Sequence, residues 1–408
     1  MTAQLLTVAH ALLGADDPLY ANRVNWVVIL IDVIKVVVVF AALLVSVMLM
    51  IWFERKVISD MQSRIGPNRA GPFGIAQTLA DGIKLFFKED LRPTQADPFV
   101  FKLAPYLAIL PAFLAFSIVP VGGVVTISGH TFELQLADPP QGILFLLAMS
   151  SIAVYGVMLA GWSSGSKYPL LGSVRASAQM VSYEAALGLS IASVVLISHA
   201  LSTRDIVNAQ NNVIYSVIPN WNVFRLGFVP FFIFLMAATA ELNRPPFDLV
   251  EAEQELVGGF HTEYSSIRFA LFFLAEFMNT ITMSAIVVTL FLGGPDGPGF
   301  HFLRWLWPIL WFVGKTFLFI FVYIWLRATL PRFRYDQLMD LGWKRLIPAA
   351  LVWLLVLGGM LVNVRWGFAV FGGCVVFGAL LFRATRVAAE RREAEEAAAG
   401  PPFREVTT

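Results

Sequence analysis

Six carboxylates stand within twenty-four residues, ELNRPPFDLVEAEQELVGGFHTEY, running from Glu241 to Tyr264: Glu241, Asp248, Glu251, Glu253, Glu255 and Glu263. Arg244 is the one full positive charge among them. The fifteen residues before them, LGFVPFFIFLMAATA from Leu226, carry no charge. Carboxyls crowded where water is scarce cannot all ionise, so they share protons and titrate as a coupled set. Two further acids stand in apolar runs, Glu184 in MVSYEAALGLS and Glu276 in ALFFLAEFMNT, and neither has a basic neighbour in sequence. A charge at the centre of a bilayer costs about 2.5–3.5 kcal/mol on insertion scales, so such a group faces protein or water and marks a pathway. Proton exchange is therefore the chemistry these residues offer. Asp32 and Lys35, three apart in the first apolar run, read instead as a mutual pair, and Lys315 lies mid-run further on.

Electron transfer is not available to the chain alone. It has no P-loop, no Rossmann glycine pattern and no Cys/His spacing suited to a metal. The one cysteine, Cys374, excludes an internal disulfide or a cysteine-held cluster. The five histidines, His10, His130, His199, His261 and His301, do not face one another within apolar runs, so haem is not expected. A redox role would need partners that hold the cofactors.

The elements that must position these acids are membrane helices. The 408 residues are 58% hydrophobic and only 14% charged, with mean hydropathy +0.72. Soluble domains carry about a quarter charged residues. Runs long enough to cross a bilayer recur, and helices satisfy their own backbone in lipid. The fold class is thus all-α and polytopic, with nine spans at 26–53, 99–121, 141–162, 178–199, 224–240, 269–292, 305–326, 346–363 and 366–382. Residues 1–25 read as a polar tail rather than a cleavable signal. Loops 54–98, 163–177, 241–268 and 327–345, with the tail 383–408, hold 21 Lys and Arg, against five in the other set. The positive-inside tendency places the first set in the cytoplasm and the N-terminus in the periplasm. The acidic stretch then faces the cytoplasm against that tendency, so something other than topology put it there. No basic tract suggests nucleic acid, and no internal repeat suggests a secondary transporter.

Two cytoplasmic loops carry pattern. GPNRAGP, Gly66 to Pro72, stops any helix. From Phe73 to Lys88 an amphipathic surface helix follows, with Ile75, Ala76, Leu79, Ile83, Phe86 and Phe87 on one face. Asp81, Lys84 and Lys88 fall on the other, as a membrane anchor or a docking ledge for a partner. A second surface helix is expected over Tyr335 to Arg345. In the acidic stretch, Pro245 and Pro246 end the fifth span. Phe247, Leu249, Val250, Leu256, Val257 and Phe260 interleave with the acids, which suggests a folded-back loop lining a partly wet cavity rather than a solvated one.

These stretches resemble a known family. ERKVISDMQSRIGPNRAGPFG with LADGIKLFFKED, then SYEAALGLS, then AELNRPPFDLVEAEQELVGGFHTEYSSIRFALFFLAEF are similar to the H-subunit family of NADH-quinone oxidoreductases, respiratory complex I, over residues 26–345. The ninth span and the tail from Arg383 extend beyond the family's core, and His261 replaces another polar residue. The resemblance implies the membrane half of a quinone chamber, with quinone as substrate and no cofactor held by this chain alone. It implies Glu54, Arg55, Arg64, Arg69, Arg244, Phe247, Asp248, Glu251, Glu253 and Glu255 around that chamber, and Glu184, Glu241 and Glu276 on a proton path. It implies as partners the iron–sulfur and quinone-site subunits of a peripheral arm and the small and antiporter-like membrane subunits. The equivalent subunit of a membrane-bound hydrogenase or formate hydrogenlyase is the alternative, and an ion-coupled transporter or a structural anchor a more distant one.

Overall fold

A computed structural model describes residue 19 and the stretches 26–127, 130–211, 213–214, 218–249, 257–298, 303, 305–378, 380 and 383. Glu251, Glu253 and Glu255 lie outside the described residues, as do the expected tails up to 18 and from 384. The long elements are α1 (Trp26–Met61), α2 (Gln77–Phe87), α3 (Pro98–Phe116), α4 (Gly142–Ser163) and α5 (Lys167–Ser198). The short α6 (Thr203–Asn208) and α7 (Asn222–Arg225) precede α8 (Phe228–Glu241). α9 (Ser266–Phe291), α10 (Leu306–Thr329), α11 (Tyr335–Leu341) and α12 (Ile347–Val362) follow, and α13 (Val364–Gly378) is a shorter apolar helix.

Among the described residues, seven helices are long and apolar enough to cross a membrane. They fall on all the expected spans but the fifth and the ninth, with the stretch from Tyr335 to Val362 counting as one helix. α8 and α13, the shorter apolar helices, stand at those two places. At 14 residues, α8 is about 21 Å long, short of a bilayer core of about 30 Å. Gly227, at φ 76, separates it from α7, where an unbroken span from 224 is expected.

Several boundaries differ from the sequence expectation, two of them for one reason. Hydropathy measures the oily length, whereas backbone hydrogen bonding continues past it. α1 runs on through Glu54 and Arg55, so both are helical rather than in a loop. α5 begins at Lys167, eleven residues before the expected start at 178, and takes up most of the expected loop 163–177. The surface helix α2 starts at Gln77, because Gly71, Pro72 and Gly74 hold the chain in a tight turn up to that point. Gly74 has φ +77, and a Cβ there would sit 2.4 Å from the Pro67 carbonyl. The expected surface helix 335–345 is not separate: α11 passes through a wide turn at Gly342–Leu346 straight into α12.

The chain divides into two compact units, residues 1–350 and 351–408. In the first, α3, α4, α5, α8 and α9 pack as a bundle, and α1 and α10 lie against α9. Small residues let the helices close up: a Cβ on Gly156 would stand 2.8 Å from the Ala108 backbone nitrogen. Asp97 caps α3, accepting from Phe99 and Val100 N–H at 3.0 and 3.1 Å, with Pro98 at the first helical position. A hairpin of β1 (Val124–Ile127) and β2 (His130–Glu133), antiparallel with Val124 opposite Glu133, is bound to the bundle by the Arg204–Glu133 ion pair. In the second unit, Gly359 and Gly367 meet closely where α12 gives way to α13.

Candidate functional site

Among the described residues, the acids named from sequence fall into two groups within the bundle. Glu54 on α1 is buried, with 4% of its surface exposed. Arg244, just past α8, is 3% exposed and donates to Glu54 at 2.8 Å. The other edge of the same guanidinium pairs with Glu276 on α9 at 3.0 Å, and its plane lies 4.3 Å from the centre of the Phe277 ring. Glu276, without a basic neighbour in sequence, thus has one in space. Arg327, at the end of α10, also donates to Glu54. A buried charge requires such compensation, because ions are costly to take out of water.

A second group lies on α4, α5 and α8. Glu241 ends α8 and is buried; it accepts a hydrogen bond from Ser150. Glu184 on α5 is half-buried and accepts from Ser151. The two serines are consecutive on α4, so one helix holds both acids. Gln179 fixes the chain after α8 by donating to the Ala240 carbonyl at 2.7 Å and the Phe247 carbonyl at 2.8 Å. Asp248 is buried and pairs with Arg332 at 2.9 Å. Phe247 packs between Tyr183 and Phe333. Tyr264 stacks on Phe101 with centroids 4.0 Å apart, and burial pushes its phenol up to about 12.

A cavity of about 80 Å³ joins the two groups. Its walls include Glu241, Asn243, Asp248, His261, Glu276 and Asn279, backed by phenylalanines. A smaller one, about 20 Å³, lies between Ser150, Glu241 and Asn279. A third space, an apolar groove of about 790 Å³, runs along α1 between α9 and α10, from Lys35 to Phe53.

Not every expected residue joins this site. Arg64 and Arg69 are exposed on the loop before α2. Arg55 turns away from Glu54 and binds Asp81 of α2 at 2.8 Å. Asp81 therefore ties α2 to α1, while Lys84 and Lys88 are exposed. The apolar side of α2 is also bare, with Phe86 74% and Phe87 88% exposed, as suits a helix resting on lipid. Asp32 and Lys35 do pair, at 3.9 Å. The Lys315 ammonium gathers the Leu292, Gly294 and Asp296 carbonyls just past the end of α9, at 2.6 to 3.0 Å. Burial raises the Asp296 carboxyl beside it to about 6, against the pull of Lys315. Among the described residues no group of His, Cys, Asp and Glu could hold a metal.

Sequence reasoning missed Arg327, Arg332, Ser150, Ser151 and Asn279. The arginines entered only as part of a topological charge count. The serines and the asparagine leave no pattern, since polar residues of that size are common in membrane helices.

A family model described as NADH dehydrogenase matches residues 34–358. The H subunit of NADH-quinone oxidoreductase from Frankia casuarinae is 49% identical over 397 residues, covering 94% of this chain and 84% of the relative. The protein of the same name from Frankia alni is 52% identical over 347 residues, covering 84% and 73%.

Proposed function

The chain belongs to the NADH dehydrogenase family, and from that premise we propose how its buried acids serve the enzyme. The protein is a multi-pass membrane component of the NADH:quinone oxidoreductase, a complex of several subunits. The comparisons favour this over the hydrogenase alternative. The single observation that carries the finer reading is the row of acids held inside the bundle: Glu54 and Glu276 bridged by Arg244, then Glu241, which lines one small cavity with Glu276, and Glu184, held like Glu241 by a serine of α4. In this reading quinone reduction occurs at the cytoplasmic end, between the loop at GPNRAGP and the stretch 241–264, against a peripheral arm that delivers electrons from iron–sulfur centres. Arg64 and Arg69, exposed on the first loop, shape the approach. The apolar groove along α1 supports a path for the isoprenoid tail between helices. Glu251, Glu253 and Glu255, outside the described residues, are assigned in this reading to respond to the negative charge that appears as quinone is reduced.

Protons then pass along Glu276, Glu241 and Glu184 towards the antiporter-like membrane subunits. The chain's own residues bind, orient and hold protons; the redox centres belong to partners. The positive-inside bias supports a periplasmic N-terminus and a cytoplasmic tail. The test is Glu184→Gln and Glu276→Gln in the intact complex. Each keeps size and hydrogen bonding but removes the exchangeable acid. Both should leave assembly and dye reduction by the peripheral arm intact and depress quinone reduction and proton pumping in vesicles together. Normal pumping in both variants would make these glutamates structural.

A further inference from the structure

Between Glu276 and Glu241 the row of acids has no described side chain that hydrogen-bonds to both. Asn279 stands there, one turn along α9 from Glu276. Of the five residues that line both small cavities, Glu241 and Asn279 are the polar ones; the others are Ala153, Met180 and Leu242. Glu241 is 7% exposed, and its Oε2 has no hydrogen-bond partner among the described residues, its Oε1 being held by Ser150. The Asn279 amide likewise makes no hydrogen bond to a described side chain. Asn279 is half-buried, and a buried carboxylate oxygen left unmatched, as Oε2 of Glu241 is, is costly unless water completes it. The larger cavity, about 80 Å³, and the smaller, about 20 Å³, each exceed the roughly 10–15 Å³ that one water requires.

We propose that Asn279 is a positioning residue that holds water between the Glu276 carboxyl and the free Oε2 of Glu241. This rests on the proton path proposed above. An amide both donates and accepts, so it can give a hydrogen bond to one oxygen while accepting one from water. A water so held accepts the proton of a protonated Glu276 and gives a different proton to Glu241. One proton moves, the water is restored and no electron is transferred. Ser150 keeps Glu241 aimed at the cavity by donating to its other oxygen. Asn243, Asp248 and His261 also line the larger cavity, but Asn279 is the polar residue beside Glu241 that both cavities share, at the join between them.

A matched pair tests this in the assembled complex. Asn279→Ser keeps a donor and acceptor; Asn279→Ala is nearly the same size as the serine variant and keeps neither. Both should assemble and show normal dye reduction by the peripheral arm. The alanine variant should lose about tenfold in quinone-linked proton pumping, below the full range that a positioned proton relay contributes, with a larger solvent deuterium isotope effect. The serine variant should recover most of the rate and the wild-type isotope effect. Equal rates and isotope effects in the two variants would overturn the proposal, whether both are impaired or both normal. Glu241→Gln run beside them separates the two ideas. Impaired Glu241→Gln with equal Asn279 variants refutes the water site alone, whereas normal Glu241→Gln refutes the path beneath it.

Discussion

Removing the Arg244 guanidinium is the sharpest test of the buried charge network. Arg244 and Glu54 are both nearly dry, with side chains 4% and 6% exposed and 2.8 Å apart. Taking one partner from a buried pair typically costs about 3–5 kcal/mol, because the remaining charge has lost its compensation. Two features pull the figure to the lower end. Glu54 keeps Arg327, and the Glu276 side chain is 30% exposed, so solvent screens the second pair. Arg244→Met should therefore cost about 3 kcal/mol, a large share of a typical stability of about 5–15 kcal/mol. Neutralising the stranded acid should return part of it. Arg327 lies 30% exposed and can turn to water, so Arg244→Met with Glu54→Gln should recover about 2 kcal/mol as a coupling between contacting residues. The assay is the yield of assembled complex per milligram of membrane, with the temperature of half-inactivation of quinone reduction. Arg244→Met should assemble poorly and inactivate at lower temperature, and the double variant should be better on both counts. A double variant no better than the single one would refute the reasoning, since the cost would then be lost packing against Phe277 rather than a stranded charge.

Gly156→Val should abolish assembly, because a side chain there meets the α3 backbone, whereas Gly188→Ala, with nothing within 4 Å of its Cβ, should be harmless; equal yields on immunoblots would show that the α3–α4 contact is slack. Reversing Asp81 and Lys84 together should weaken co-purification of the peripheral arm, through the exposed Lys84 and the broken Arg55–Asp81 tie; an arm that stays attached with normal quinone reduction would leave α2 a lipid anchor only. A cysteine introduced at Ala398, in a Cys374→Ser background, should react with an impermeant maleimide in inverted vesicles and not in intact cells. Labelling in intact cells would sink the nine-span topology.

The sequence determined what is local. Apolar length gave the helices, because a span must reach across hydrocarbon and a long continuous apolar run satisfies its own backbone there as a helix. Glu184 and Glu276 stood out for the same reason, as acids whose neighbours cannot solvate them. The Asp32–Lys35 pair was legible because three residues bring side chains together on a helix. What the tertiary structure decided is which charge meets which. Nothing local to Glu54 says that Arg244, 190 residues away, will donate to it, or that Arg327, 273 residues away, will too. Nor does sequence tell Lys315, which closes off the carbonyls beyond α9, from Glu276, which faces an arginine and a cavity. Both are lone charges in apolar runs. Helix-to-helix packing decides their partners, because a buried charge is compensated by whatever the neighbouring helix presents, and that depends on rotation and depth rather than on residue type.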